Sequence, residues 1–146
     1  MHFDFDITVP ANTLADAPLE TEVELTVGII TRVEIDFHPG AAGLVHVQVW
    51  RRLHQVWPTN PGASFHADGR VIPWDEYYDL TETPYMFTIK SWSLDDTYPH
   101  EVIVSFAELE ADIAIPKNEA LPILKRLSRY FFGSCLAVVN ALGLWR

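Results

Sequence analysis

The run Leu19-Glu20-Thr21-Glu22-Val23-Glu24-Leu25-Thr26-Val27 alternates almost without fault: Leu19, Thr21, Val23, Leu25 and Val27 on one parity, Glu20, Glu22, Glu24 and Thr26 on the other. Successive side chains of a strand point to opposite faces, so the run reads as a strand with one buried and one solvated face, the habit of an antiparallel sheet. Upstream, Phe3, Phe5, Ile7 and Val9 alternate with Asp4, Asp6 and Thr8. Downstream, Ile29, Thr31, Val33, Ile35 and Phe37 oppose Ile30, Arg32, Glu34 and Asp36, and the turn dipeptide Pro39-Gly40 follows.

Further strands are expected along the chain. Leu44–Trp50 places Val45, Val47 and Val49 opposite His46, Gln48 and Trp50, and Arg51-Arg52 reads as the tip of a hairpin returning through Leu53 to Trp57. Residues 58–69 hold two prolines, two glycines, Asn60, Ser64 and Asp68, which is loop chemistry. Short strands follow at Arg70–Ile72, Tyr85–Trp92 and His100–Leu109. About seven or eight short strands at this spacing predict an all-β, antiparallel sandwich or jelly roll, in which two sheets press their apolar faces together.

Near Pro116 the chain changes character. Residues 1–116 carry 5 Lys and Arg against 19 Asp and Glu, a net charge of −14, whereas residues 117–146 carry 5 against 1, a net of +4. The expected division is an acidic β-sandwich domain over 1–116 and a basic, apolar C-terminal arm, helical or extended, over 117–146. Within the arm Asn118 suits a helix cap and Pro122 a first turn. Ile123, Leu124, Leu127, Phe131 and Leu136 then recur at helical spacing, with Lys125, Arg126 and Arg129 on another face.

Composition bounds the function classes. A chain of 146 residues with 49% apolar and 21% charged side chains has the make-up of one folded domain and not of a disordered chain. The overall charge of −10 disfavours nucleic acid, whose phosphates need a surface rich in Lys and Arg. Cys135 is the single cysteine, so neither an intrachain disulfide nor a multi-cysteine metal site is expected. The start Met1-His2-Phe3-Asp4 lacks the charged and apolar regions of a secretory signal, so synthesis in the cytoplasm is expected.

No constellation points to a reaction. Carboxylate pairs do acid–base work only when a pocket holds them and drives their pKa values apart. Asp4/Asp6 and the Glu20/Glu22/Glu24 row fall on polar strand faces, Asp75/Glu76 forms no such pocket in the pattern, and Asp95-Asp96 falls in a turn. The six histidines show neither HxH nor HExxH spacing, although His46 and His54 come together if the hairpin pairs them. There is no GxSxG, Cys135 sits in an apolar run, and Gly40-Ala41-Ala42-Gly43 is a turn and not a phosphate cradle. No enzyme activity, cofactor or metal is therefore expected.

Two surfaces carry binding hypotheses. Trp50, Trp57 and Trp92 are candidates for a flat aromatic platform against sugar rings; core or interface packing is the plainer use of such side chains. The arm is the stronger candidate. About a dozen large apolar side chains between Leu121 and Trp145 need cover, which its own sandwich, another subunit or a membrane would supply. Spanning is disfavoured, because the 16 uncharged residues between Arg129 and Arg146 fall short of the roughly 20 a helix needs. An interfacial helix with Lys125, Arg126 and Arg129 at lipid headgroups is the membrane alternative. Charge favours protein: a +4 arm is attracted to copies of a −14 domain.

This organisation, an acidic sandwich opening on Phe3-Asp4-Phe5-Asp6-Ile7-Thr8-Val9-Pro10 and ending in a hydrophobic arm, resembles the small β-sandwich accessory proteins of virus particles, such as the decoration proteins of tailed-phage heads. The resemblance implies a non-enzymatic subunit of a virion, reinforcing a repeating capsid lattice. The expected partners are copies of itself or a lattice protein, gripped through Leu124, Leu127, Phe131, Leu136 and Trp145 with Lys125, Arg126 and Arg129.

Overall fold

Alternation along the chain becomes two facing sheets. The computed structural model describes residues 1–110. These residues form eight strands: β1 (His2–Val9), β2 (Leu19–Glu24), β3 (Gly28–Phe37), β4 (Val45–Arg51), β5 (His54–Trp57), β6 (Arg70–Leu80), β7 (Met86–Ser93) and β8 (His100–Glu110). One sheet runs β1-β8-β3-β6, the other β2-β7-β4-β5, and every neighbouring pair is antiparallel. The all-β sandwich expected from the periodicity is therefore present. First pairs with last throughout: β1 with β8, β2 with β7, β3 with β6, β4 with β5. That is the ladder of one long folded-over hairpin, curled so that β8 also meets β3 and β7 also meets β4.

The core lies between the sheets. Ile7, Val9, Val33, Ile35, Phe37, Val102, Val104 and Phe106 come from the first sheet, and Val23, Val45, Val47, Val49, Phe87 and Ile89 from the second. All are buried. At the centre Phe106 and Phe87 stack across the sandwich, centroids 5.4 Å apart and rings within 3° of parallel. The described residues belong to one compact unit, Met1–Ala114. The arm over 117–146, with Leu124, Lys125, Arg126, Leu127, Arg129, Phe131, Leu136 and Trp145, lies outside the described residues.

Four local expectations are corrected. Between Ile30 and Arg32 the register shifts, one extra β3 residue standing against β8, so Ile30 joins Val33 in the inter-sheet cluster while Ile29 is buried outside that cluster. A bulge breaks strict alternation because two residues then oppose one. Strand β2 stops at Glu24; Leu25 stays buried, its amide donating to Tyr85 O at 2.8 Å, but Val27 is exposed. The hairpin tip is Arg52-Leu53 instead of Arg51-Arg52, since Arg51 pairs with His54. Strand β6 runs 11 residues where only Arg70–Ile72 was expected. Pro73 masked it, yet β6 is an edge strand, where a missing N–H donor costs no ladder bond.

The Gly40–Gly43 stretch is a turn, as expected. Gly40 N donates to Asp68 Oδ1 at 2.8 Å, and Leu44 N to Ala41 O at 2.8 Å.

Candidate functional site

Each sheet turns a polar face outward, and the candidate residues divide between these two faces. On β2-β7-β4-β5 the register lines up Glu20, Lys90 and Gln48 in one row and Glu22, Thr88 and Trp50 in the next, with Trp92 opposite His46 two residues further along β7. Lys90 Nζ lies 2.7 Å from Glu20 Oε1 and 4.7 Å from the centre of the Trp50 ring. Trp50 Nε1 donates to Gln48 Oε1 at 3.0 Å. His46 lies parallel to Trp92 with centroids 5.2 Å apart. Trp50 and Trp92 are thus half-buried on the outer face, as their parity implies, but each indole already has a protein group against one side.

Trp57 is different. It is only 4% exposed and sits among Trp74, Tyr78, Phe87 and Phe106, with its Nε1 donating to Glu76 Oε2 at 2.9 Å. The aromatic body of Trp57 therefore fills core space and offers no platform to a sugar ring. Sequence parity alone does not place it, because the irregularity between Val49 and Trp50 changes which β5 residues point inward.

The loop over 58–69 is strapped to this sheet. Gln55 Nε2 donates to the carbonyls of Pro58 (2.6 Å), Asn60 (3.2 Å) and Ala63 (3.0 Å), and its Oε1 accepts from Gly62 N (3.0 Å). Gln48 Nε2 also donates to Ala63 O at 2.7 Å, and Phe65 and Val47 exchange backbone bonds of 2.9 Å. The strap brings Ser64 Oγ to 2.9 Å from His46 Nδ1 and the His66 ring to 4.9 Å from that of His46. His46 therefore meets His66 and not His54, which stands at the hairpin end paired with Arg51. No sequence spacing signals this contact, since the loop alone creates it. Among the described residues no three His, Cys, Asp or Glu side chains converge in a metal-holding arrangement.

Burial, and then the neighbouring His66, push the His46 pKa below its ordinary value of 6.5. The titratable group facing it from the loop is His66; β7 presents Trp92 directly, with Lys90 one row away. A group with a depressed folded pKa takes up protons more readily when unfolded, so its contribution is present above about 6.5 and is lost as pH falls through the folded value. Thermal melts from pH 8 to 5 are expected to show wild type losing stability below pH 6.5 more steeply than His46→Gln. Parallel profiles would mean that the His46–Trp92–His66 stack does not govern this range.

The outer face of β1-β8-β3-β6 is acidic and ordered by register. Asp4, Ser105 and Glu34 form one row across β1, β8 and β3, and Asp6, Ile103 and Asp36 the next. Pro73 and Val71 of β6 extend these two rows. Arg32 partly neutralises the face, bonding Glu34 Oε1 at 2.6 Å and Asp75 Oδ1 at 2.8 Å; these two carboxylates hold its guanidinium pKa above the ordinary value. His2 lies 3.0 Å from Asp4, and His38 3.5 Å from Glu101. Asp6 and Asp36 meet no cation among the described residues.

The remaining carboxylates serve local structure. Asp95 accepts Thr97 N at 2.8 Å, His100 Nε2 at 2.8 Å and Tyr98 N at 3.1 Å; the Thr97 amide first, then His100 and Tyr98, hold its carboxyl below the usual range. Asp79 is likewise lowered by the Thr81 hydroxyl and amide. Both clasp the turns that follow them. Against known proteins, the chain matches no family model and no curated protein.

Proposed function

We propose that the protein is a non-enzymatic structural subunit, docking through residues 117–146 onto copies of itself or onto a repeating lattice protein of a virus particle. The observation that carries this reading is how fully the two sheets cover each other: the inward residues from Ile7 to Phe106 are packed on one another across the sandwich. Each large apolar side chain of residues 117–146 gains roughly 1.5–3 kcal/mol when a surface covers it.

Topology supports the architectural half of the proposal. Pairing of β1 with β8, β2 with β7, β3 with β6 and β4 with β5 across two sheets supports reading the sandwich as a jelly roll, an arrangement used in capsid and lectin domains. Fold alone assigns no role. The net charges of −14 and +4 add the directional element, since complementary fields steer association and set register. Among the described residues no helix is long and apolar enough to cross a membrane.

The test is deletion of residues 117–146, read by light scattering and circular dichroism. The expected result is a folded β-domain that is monomeric where the full chain assembles. A truncated protein that still assembles removes the arm from the mechanism, and one that unfolds shows that the arm completes its own domain.

A further inference from the structure

The outer face of β1-β8-β3-β6 has the shape and chemistry of a receptor surface. Its central rows form a shallow concavity of about 460 Å³ lined by Asp4, Asp6, Glu34, Asp36, Val71 and Ile103, among others. The floor is not purely acidic. Ile103 stands between Asp6 and Asp36 in its row, and Val71, 42% exposed, stands beyond Asp36. The outer strands of a three-strand row run about 9.6 Å apart, so Asp6 and Asp36 stand on either side of the apolar Ile103. Such a row suits a segment that brings cations on one side and aliphatic surface on the other.

The chain itself contains a segment of that kind. Lys125, Arg126 and Arg129 are interleaved with Leu124, Leu127 and Ile123. On the helix expected there from the sequence, Lys125 and Arg129 would be one turn apart, about 5–6 Å between Cβ atoms, a spacing that long Lys and Arg stems can widen.

Resting on the reading of residues 117–146 as a docking arm, we propose that the Asp6–Ile103–Asp36 row and its neighbours receive the Lys125–Arg129 stretch of a second copy. Lys125 and Arg129 meet the carboxylates of Asp6 and Asp36, and the leucines of the stretch cover Ile103 and Val71. Arg32 stays with Glu34 and Asp75, so the row that carries the attraction is the one that meets no cation among the described residues. A second copy is preferred to other basic partners because every copy carries both the acidic rows and the basic stretch in its sequence. Reciprocal exchange of the stretch between two copies closes a symmetric pair.

The experiment is light scattering and sedimentation of the full chain carrying Asp6→Lys and Asp36→Lys, then of that chain combined with Lys125→Glu and Arg129→Glu. The face reversal is expected to weaken assembly on the order of tenfold, and the charge swap to restore most of it. The milder pair Asp6→Asn and Asp36→Asn is expected to fall between, with circular dichroism confirming the fold in each case. Raising salt from 0.1 to 1 M shortens the screening length from about 10 to about 3 Å, and is expected to weaken wild type more than the Asn variant. Unchanged assembly of both face variants, while the chain lacking 117–146 is monomeric, overturns the receptor face and leaves the arm standing. Assembly that survives deletion of the arm overturns both, as does a full chain that is monomeric at every concentration.

Discussion

Replacing Phe106 with alanine is expected to cost about 3–5 kcal/mol. Its ring is fully buried, lies in register with Phe3 and Val33 within its own sheet, and stacks on Phe87 from the other. Phe5 meets it edge-on at 6.2 Å, and Trp57 at 6.5 Å. Removal opens a void bounded by rigid rings from both sheets, which cannot collapse without moving a strand. A domain of this size has about 5–15 kcal/mol in all. At roughly 3–6 °C per kcal/mol, between the values for smaller and larger domains, the melting temperature is expected to fall by roughly 9–30 °C. Phe106→Leu keeps most of the volume and is expected to lose less than half as much. An alanine variant within a few degrees of wild type would mean that the inter-sheet stack is not formed in solution.

Substituting Gly28 by alanine is expected to cost about 3 kcal/mol, at the upper end for overpacking. A Cβ there would run into the carbonyl oxygen of Leu109 and stand 2.5 Å from Glu108 Oε1 and 2.9 Å from Glu108 Cγ. Leu109 O is backbone of the strand paired with β3, so it yields only if the β3–β8 ladder shifts. Glu108 has little freedom either, being buried with Oε1 accepting the Thr26 hydroxyl at 2.6 Å. Chemical denaturation reads the loss. Thr26→Val tests the same corner separately by removing the hydroxyl donor while keeping shape, for an expected loss of about 1.5–3 kcal/mol, the worth of a hydrogen bond to a charged group. A neutral Gly28→Ala would show that the strand entry is looser than its packing implies.

How legible the fold was depended on where each strand lies. Strands β1, β4, β7 and β8 bury one face and wet the other, and their parity appears directly in the spacing of Phe3, Val45, Phe87 and Val102. The end of β6 was not legible. From Trp74 to Leu80 it carries Tyr77 and Tyr78 side by side and follows Pro73, and only its edge position next to β3 makes that tolerable. The bulge at Ile30–Arg32 was equally hidden, because Ile29 and Ile30 are both apolar and both buried, and only the ladder to β8 puts Ile30 in the inter-sheet cluster. Trp57 and Trp50 look alike in composition, yet an irregularity in the β4–β5 pairing sends one into the core and leaves the other outside.

Local periodicity by itself determined that the first part of the chain is an antiparallel sandwich, and the charge count determined that its outer surfaces are acidic while residues 117–146 are basic. These are properties of neighbours along the chain, and a strand's alternation or a segment's net charge needs no distant partner to be read. Only the tertiary structure decided that Asp4 and Asp6 share rows with Glu34 and Asp36, that His46 faces His66, and that Trp57 is core. Those juxtapositions depend on which strands pair and in what order, and alternation marks a strand's inward face without naming the strand, many positions away, that lies beside it.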